Sequence, residues 1–503
     1  MNFRQNNLLI MLSPMMLAIM VASLDMAVMP TILPVMVDSL GDSQNSAWVM
    51  TAYMFAATVT APVYGCLSDT ISIQRLLQFA LLVFALGATL CASAGTINFL
   101  ILARFIEGIG SGGLMVLGFI LVGKTVTEKQ QGICQGILGG VTAFAALSGP
   151  LLGGIISEYH GWQLIFLLYI PLSLGAVVLS HYYLPKIKYQ NVAKTGFDYS
   201  GFILLTLLVA DLLYAINQLS AGITLFDGKN LISIISFIML FIVFIIQELR
   251  AKSPLIPVRL FNNKTLVSIL AVVFLSALSS AAATFFLPQY FQYVIGVSSG
   301  MSGILIEPVQ IGMIIGPVIA GWLTVRHMSY QQGIIISIML LIVAYLSISL
   351  PENALTVHLI ALPSLTLLGL GLGAIMPLLT LSVQRSVEPT LIGTATSLLG
   401  LFRSLGSLFG LTLFKLIYSS SLLNELHQIN LGKVSIKNAL ANGIAAFGEN
   451  VHLQYMTFFD NAFSQVFYFA AGLAVISLLF VYKFDMKQSM LVGINKKTKF
   501  RRN

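Results

Sequence analysis

Fourteen stretches of about twenty largely apolar residues follow one another along this 503-residue chain, each long enough to cross a hydrocarbon layer roughly 30 Å thick. They lie near 8–37, 46–66, 76–95, 98–123, 132–156, 162–184, 200–219, 229–249, 265–291, 301–324, 330–350, 356–384, 391–417 and 462–483. Inside a bilayer the backbone has no water to bond, so spanning segments form either helices or a closed barrel. Period-2 alternation is absent, which removes the barrel. Only 9% of residues are charged and 57% are hydrophobic, whereas soluble domains are about a quarter charged. The expectation is an all-α membrane protein with fourteen transmembrane helices. The first run, preceded by Arg4, continues past a signal-peptide core and shows no small-residue cleavage site, so it reads as a retained helix.

Lys and Arg set the orientation. With the N-terminus cytoplasmic, most of the 26 basic residues fall in inner loops and tails, including Arg75, Lys124, Arg250, Arg259, Arg385 and the C-terminal cluster; the outer loops hold Lys229, Lys433 and Lys437. Both termini are then cytoplasmic, in a multi-pass protein of the cell membrane. The net charge of +8 is largely this bias, and it points the basic tail to membrane lipid rather than nucleic acid. Cys66, Cys91 and Cys134 show no pairing pattern and the six His no ligand spacing, so neither a metal nor another cofactor is expected.

An internal repeat divides the chain. A shift of 261 residues sets Gly108, Gly110 and Gly112 on Gly369, Gly371 and Gly373, Met115 on Met376, Lys124 on Arg385 and Gly149 on Gly410; a shift shorter by five sets GCLSD (65–69) beside GWLTV (321–325). Residues 1–190 and 259–503 read as two six-helix bundles in parallel orientation, and 191–258 as an inserted helix pair with flanking loops. Two similar bundles that rock about a site at their interface are the common plan of secondary transporters.

Several segments together resemble the fourteen-helix drug/proton antiporters of the major facilitator superfamily. LDMAVMPTILP (24–34) is similar to the first-helix motif with its acid, here Asp25; GCLSDTISIQR (65–75) to the signature between helices 2 and 3, here Gly65, Asp69 and Arg75; and LILARFIEGIGSGG to the fourth-helix signature with its Arg, here Arg104. ALSGPLLGGIISEYHGWQLIFLLYIP (146–171) resembles the fifth-helix antiporter motif, with Gly149, Pro150, Gly153 and Gly154; FDYSG, PLIPVRLF, LPQYFQYVIGVS and LFRSLGSLFG are further landmarks. The resemblance implies the major facilitator fold and multidrug efflux by proton antiport. Two positions depart from the pattern: Ser72 and Ile73 replace a Gly and a basic residue, and Glu107 stands where Gln is usual.

At about 100° per residue, Arg104, Glu107, Gly108 and Ser111 share one stripe of helix 4, and Met15, Ala18, Ala22, Asp25 and Met29 one stripe of helix 1. A charge at this depth faces the bundle interior or a wet cavity, since facing lipid costs about 3 kcal/mol or more. Proton coupling is assigned to Asp25, Arg104 and Glu107: desolvation disfavours a carboxylate, a nearby Arg favours it, and a carboxyl moved between such surroundings loads and releases a proton. A permanent Arg104–Glu107 pair that locks helix 4, and Asp25 as a satisfied structural acid, are the alternatives. Met15, Ala22, Met29, Ser111, Glu307 and Arg403 are the substrate-cavity candidates, with Met suited to varied apolar shapes; ordinary packing, a wet rim for Glu307 and backbone carbonyls for Arg403 are the competing readings. Asp211, in the inserted pair and remote from the repeat interface, reads as structural or as a lipid-boundary residue.

Two nucleotide-motif matches fail on context. GFILVGKT (118–125) fits GxxxxGK[ST] and GIGSGG (108–113) fits GxGxxG, but both lie in an apolar helix with no preceding strand. The chain therefore does not read as an enzyme, and its energy source is an ion gradient. Residues 418–460 form the one long outer loop, either a solvated connection or a docking site for a periplasmic adaptor protein. The leading function is export of amphipathic or lipophilic small molecules, with a lean to cations, in exchange for protons across a bacterial inner membrane. A proton-coupled importer of a nutrient or siderophore on the same scaffold, and a sensor or scaffold that moves nothing, remain as alternatives.

Overall fold

The computed structural model describes residues 5–41, 46–184, 198–220, 228–251, 254–297, 299–326, 328–349, 362–427 and 452–482. The described elements are helical. In chain order they are α1 (Gln5–Leu40), α2 (Ser46–Ser68), α3 (Ile73–Ala92), α4 (Ile97–Thr125), α5 (Glu128–His160), α6 (Gln163–Tyr183), α7 (Tyr199–Ser220) and α8 (Gly228–Arg250). Then follow α9 (Lys264–Tyr293), α10 (Ser299–Arg326), α11 (Tyr330–Ile348), α12 (Leu362–Ser386), α13 (Ile392–His427) and α14 (His452–Val481). Thirteen are long and apolar enough to cross a membrane; in α7 the described apolar part is Tyr199–Ala215.

Polar caps cut the hydrophobic runs into helices. Ser72 Oγ accepts from Arg75 N, Thr96 Oγ1 from Phe99 N, and Asn263 Oδ1 from Thr265 N and Leu266 N, each satisfying amides that the first turn leaves free. Ser329 and Gln332 form a reciprocal capping box at α11. Gly161, at φ +84°, ends α5 in the left-handed region. In α9 a π-helical turn over Ala282–Phe286 precedes Pro288, whose missing N–H removes an i→i−4 bond.

Three apolar clusters organise the packing. One joins α1 to α6, from Leu8 to Leu184; a second joins α9 to α14, centred on Phe286, Tyr290, Phe414, Phe463 and Phe467. The third joins Leu205, Leu208 and Val209 of α7 and Phe244 of α8 to Leu266 and Ile269 of α9 and Val59 of α2, which seats the inserted pair at the side of the two bundles. Short connections make sequential helices antiparallel, so the α2–α3, α4–α5, α8–α9 and α12–α13 connections share one face with the start of α1. Arg75, Lys124, Arg250 and Arg385 lie there, and it is called the basic face below.

The loop expected over 418–460 is helical at both ends: α13 continues to His427 and α14 begins at His452. Hydropathy marks where a helix leaves an apolar layer, not where its backbone bonds stop, so polar extensions read as loop. Residues 428–451, the remainder of the adaptor-docking candidate, and the basic tail 483–503 lie outside the described residues.

Candidate functional site

Small residues bring α4 against its neighbours. A Cβ at Gly108 would meet Tyr53 O at 2.5 Å and one at Gly112 would crowd Thr60 and Ala57, so α2 lies directly on this stripe. Gly110 rests on Ala80 and Phe84 of α3, and Gly87 of α3 rests on the backbone of Glu107. The refused nucleotide match at 108–113 is therefore a packing surface.

Between these helices Arg104 is held by two acids. Its Nη1 donates to Asp25 Oδ1 at 2.7 Å and to Glu107 Oε2 at 2.7 Å. All three side chains are sealed, with relative exposures of 1%, 1% and 0% for Arg104, Asp25 and Glu107. Cys91 Sγ donates to Glu107 Oε2 at 3.3 Å, and Tyr53 lays its ring 4.1 Å from Arg104 Cζ while its hydroxyl donates to Ser111 Oγ at 2.6 Å. Asp25 Oδ2, Glu107 Oε1 and Arg104 Nε have no partner. Most buried polar atoms in native proteins have a hydrogen-bond partner.

On one side the guanidinium borders a small pocket lined by Met26, Met29, Met50, Tyr53, Met54 and Arg104. Met26 is 42% exposed, so the pocket communicates with outside space. Met15 and Ala22 lie on the same helix but are fully buried in the N-terminal core, and Ser111 is occupied by Tyr53. Glu307 is half-buried on α10 in the other bundle, and Arg403 is exposed on α13 with Nη2 4.0 Å from Met115 Sδ of α4. The structure thus gathers Asp25, Arg104, Glu107, Met29 and Ser111 and places Glu307 and Arg403 elsewhere.

A second constellation closes the basic face. Asp69, at the end of α2, accepts from Gly393 N (2.9 Å, Oδ1) and from Thr394 N and Oγ1 (both 2.9 Å, Oδ2), so its carboxylate caps the start of α13 in the opposite bundle. Lys124 Nζ donates to Asp69 Oδ1 at 2.6 Å and to Ser68 O at 2.7 Å. Beneath, Gly65 and Gly393 touch where α2 crosses α13, and Gln384 Nε2 donates to Phe119 O at 2.9 Å. The lysine of the second refused motif, GFILVGKT, is therefore part of a clamp. Arg75 is exposed; its backbone N–H reaches Ser72 Oγ, and its guanidinium enters no ion pair among the described residues.

α5 changes partner along its length. Gly132 and Gly136 rest on Gly321 and Pro317 of α10 across the bundle interface near the basic face, whereas Gly149 rests on Ala27 and Gly153 on Val28 of α1, within its own bundle. Pro150 is exposed beside them, and a Cβ at Gly154 would stand 3.9 Å from Thr31 Cγ2. The bundles are thus tied at the basic half, and the Met-lined pocket lies in the half opposite.

Sequence reasoning missed Tyr53, Cys91, Lys124, Gln384 and Thr394. Lys124 alone left a trace, since the repeat aligns it with Arg385; the others gain their roles only from helix packing.

Comparison with known proteins gives concordant results. A family profile described as Major Facilitator Superfamily matches residues 15–411. The chain is similar to the multidrug transporter protein MdtP of Bacillus subtilis (strain 168), with 30% identity over 414 residues, covering 82% of this chain and 75% of that one. It is also similar to multidrug resistance protein 3 of the same organism, with 29% identity over 440 residues and 86% and 83% coverage. Among solved structures, the proton:xylose symporter XylE superposes with a TM-score of 0.62 at 13% identity over 96% of each chain.

Proposed function

Since the chain belongs to the major facilitator superfamily and is a transporter of that fold, we propose that it exports amphipathic or lipophilic small molecules in exchange for protons, by alternating access. The relatives' names as multidrug transporter and multidrug resistance protein support the cargo class. One observation carries the mechanism: the guanidinium that borders the Met-lined pocket also holds two sealed carboxylates through a single nitrogen.

With both acids ionised the cluster carries one net negative charge, and one proton makes it neutral. A buried site favours the neutral state. A cargo that docks at the mouth of the pocket, which itself has a volume of about 10 Å³, room for one water, presses on Arg104, redistributes its hydrogen bonds between Asp25 and Glu107, and releases that proton. Proton and cargo then exclude one another, which is the condition for antiport. At 100 mV each charge moved inward supplies about 2.3 kcal/mol, besides any pH gradient.

In this reading the basic face is cytoplasmic, as the Lys and Arg distribution suggests, both termini lie there, and the membrane is the bacterial inner membrane. The conformation then opens outward, with Asp69 holding the inner side shut. The partners are the cargo, protons and membrane lipid, and an adaptor protein at the outer α13–α14 connection belongs to the same proposal.

The test is flux in proteoliposomes with an imposed pH gradient, screened over amphipathic compounds, with Asp25→Asn beside the parent. Gradient-driven export by the parent that is absent from the variant supports the reading. Full export by the variant removes Asp25 from the mechanism, and a parent that moves no compound favours the sensor or scaffold alternative.

A further inference from the structure

The segment LFRSLGSLFG places Arg403 about 16 Å along α13 from its start at Ile392, at 1.5 Å per residue. An arginine at that depth needs carboxylates, backbone oxygens or water, and the packing of α13 shows which it has. A Cβ at Gly400, on the same helical face, would stand 3.8 Å from Val116 Cγ2 of α4; Gly406 and Gly410, on its other flank, rest on Phe274 and Leu278 of α9. The side chain between them therefore points into the gap between α4 and α9, where the two bundles face each other, and not toward lipid.

In that gap it is solvent-exposed, and its one polar contact among the described residues is the Met115 sulfur at 4.0 Å. A guanidinium carries five N–H donors in a planar fork that matches a carboxylate, sulfonate or phosphate. The acids that could neutralise it are engaged or remote. Asp25 and Glu107 are sealed on Arg104, Asp69 is taken by Lys124 and α13's own N-terminus, and Glu307 belongs to α10, which packs on α5 and α12 while α13 packs on α9 and α2. The exposed formal charge in this gap is positive, which repels a lipophilic cation and attracts an organic anion.

We propose that Arg403 is the anchor for an acidic group of the cargo, so that the protein takes amphipathic organic anions, with the acid on the Arg403 fork and the apolar body against Met115. The proposal reverses the lean to cations drawn from sequence. It rests on the export reading for the direction of flux, and on geometry alone for binding.

The experiment measures equilibrium binding to the purified full chain, in detergent at one pH and with no gradient, of amphipathic acids each paired with its methyl ester: dansylaminoundecanoic acid, cholate and an arylpropionate. The parent is expected to bind at least one acid about tenfold more tightly than its ester, the effect of one to two charge-assisted hydrogen bonds. Arg403→Gln is expected to bind acid and ester alike, and Arg403→Lys, which keeps the charge without the fork, to fall between them. Thermal unfolding of each variant reports folding, and the graded Lys response decides the matter should the Gln variant not fold. Absence of acid preference in the parent, or its survival in Arg403→Gln, overturns the anchor. Acid preference with no pH-driven flux would retire antiport and leave the anchor standing; equal flux of acids and esters, driven by the gradient, would do the reverse.

Discussion

Asp25 Oδ1 lies 2.7 Å from Arg104 Nη1, although 79 positions separate the two residues and no basic residue flanks Asp25 in sequence. The same nitrogen serves Glu107 at an equal distance. The two N–H groups of that nitrogen serve one acid each, and each carboxylate keeps a second oxygen with no hydrogen-bond partner among the described residues. A lone Arg104–Asp25 pair would be a structural lock. The added Glu107 gives the cluster one net negative charge when both acids are ionised, which in the proposed mechanism a proton balances.

Replacing the acids one at a time should therefore have unequal effects. In Asp25→Asn, Arg104 is neutralised by Glu107 three residues away on the same helix, the tie between α1 and α4 loses its charge, and pH-driven export should fall at least about a hundredfold, the scale of 3 kcal/mol for breaking a buried pair. In Glu107→Gln the Arg104–Asp25 pair is already neutral, so proton uptake creates a net positive charge in a sealed site. Export should persist, but with its pH profile displaced to more acidic values. Flux measured against external pH at constant gradient checks both, and an unshifted profile for Glu107→Gln would leave Glu107 without a share in coupling.

The clamp at the basic face makes a separate prediction. Asp69→Asn removes the ion pair with Lys124 and weakens the cap on α13, where bonds to a charged group are worth about 1.5–3 kcal/mol each. The closed basic face should lose population by at least about tenfold. Cys66, partly buried on α2 close to the clamp, is a native reporter, because Cys91 and Cys134 are buried. Its labelling by a membrane-impermeant maleimide should speed up in Asp69→Asn, and less in Lys124→Gln, which leaves the Gly393 and Thr394 bonds intact. Unchanged labelling in both variants would mean that the clamp does not hold this face.

The repeat shows how far such a clamp can be read from sequence. Lys124 aligns with Arg385, but GCLSD aligns with GWLTV, so the counterpart of Asp69 is Val325 and the acid is not repeated at that position. Arg385 instead sets its guanidinium 4.4 Å from the Tyr330 ring. Helix existence was legible because apolar length is a local property, as was the inward direction of Arg104 and Glu107, which helical period dictates. That Arg104 would reach Asp25, that Lys124 would reach Asp69, and that Arg403 would stand unpaired were not legible. Each depends on which helices become neighbours, and in membranes small residues set that choice more than periodic apolar faces do. The polar ends of α13 and α14 were missed for another reason: hydropathy ends where the apolar layer ends.

Asp211 is bonded within the inserted pair: Ser233 Oγ donates to its Oδ1 at 2.7 Å and Ser236 Oγ to its Oδ2 at 2.6 Å, tying α8 to α7. Interhelical hydrogen bonds in membrane proteins average about 0.6 kcal/mol. Asp211→Ala should therefore lower the melting temperature of the purified protein by a few degrees and leave pH-driven export in place. Loss of export at an unchanged melting temperature would instead move Asp211 into the transport path.

The glycines of α5 grade the closeness of α1, and their substitution should follow that grading. A Cβ at Gly149 would run into the Ala27 side chain and lie 3.0 Å from its backbone carbon, neither of which can turn away. A Cβ at Gly153 would meet Val28 Cγ1 at 2.9 Å; that side chain is β-branched and nearly fixed in one rotamer on a helix, so relief is partial. One at Gly154 would stand 3.9 Å from Thr31 Cγ2, in ordinary contact. Overpacking costs about 1–3 kcal/mol, whereas Ala in place of Gly favours a helix by about 0.8–1 kcal/mol. Gly149→Ala should be the most destabilised, Gly153→Ala intermediate, and Gly154→Ala equal to the parent or more stable, as read by thermal unfolding. Because Ala27 lies two residues from Asp25, displacing α1 at this level also shifts the carboxylate against Arg104, so export should fall in the same order. A Gly154→Ala variant as damaged as Gly149→Ala would show that α5 is conserving flexibility of its own backbone rather than proximity to α1.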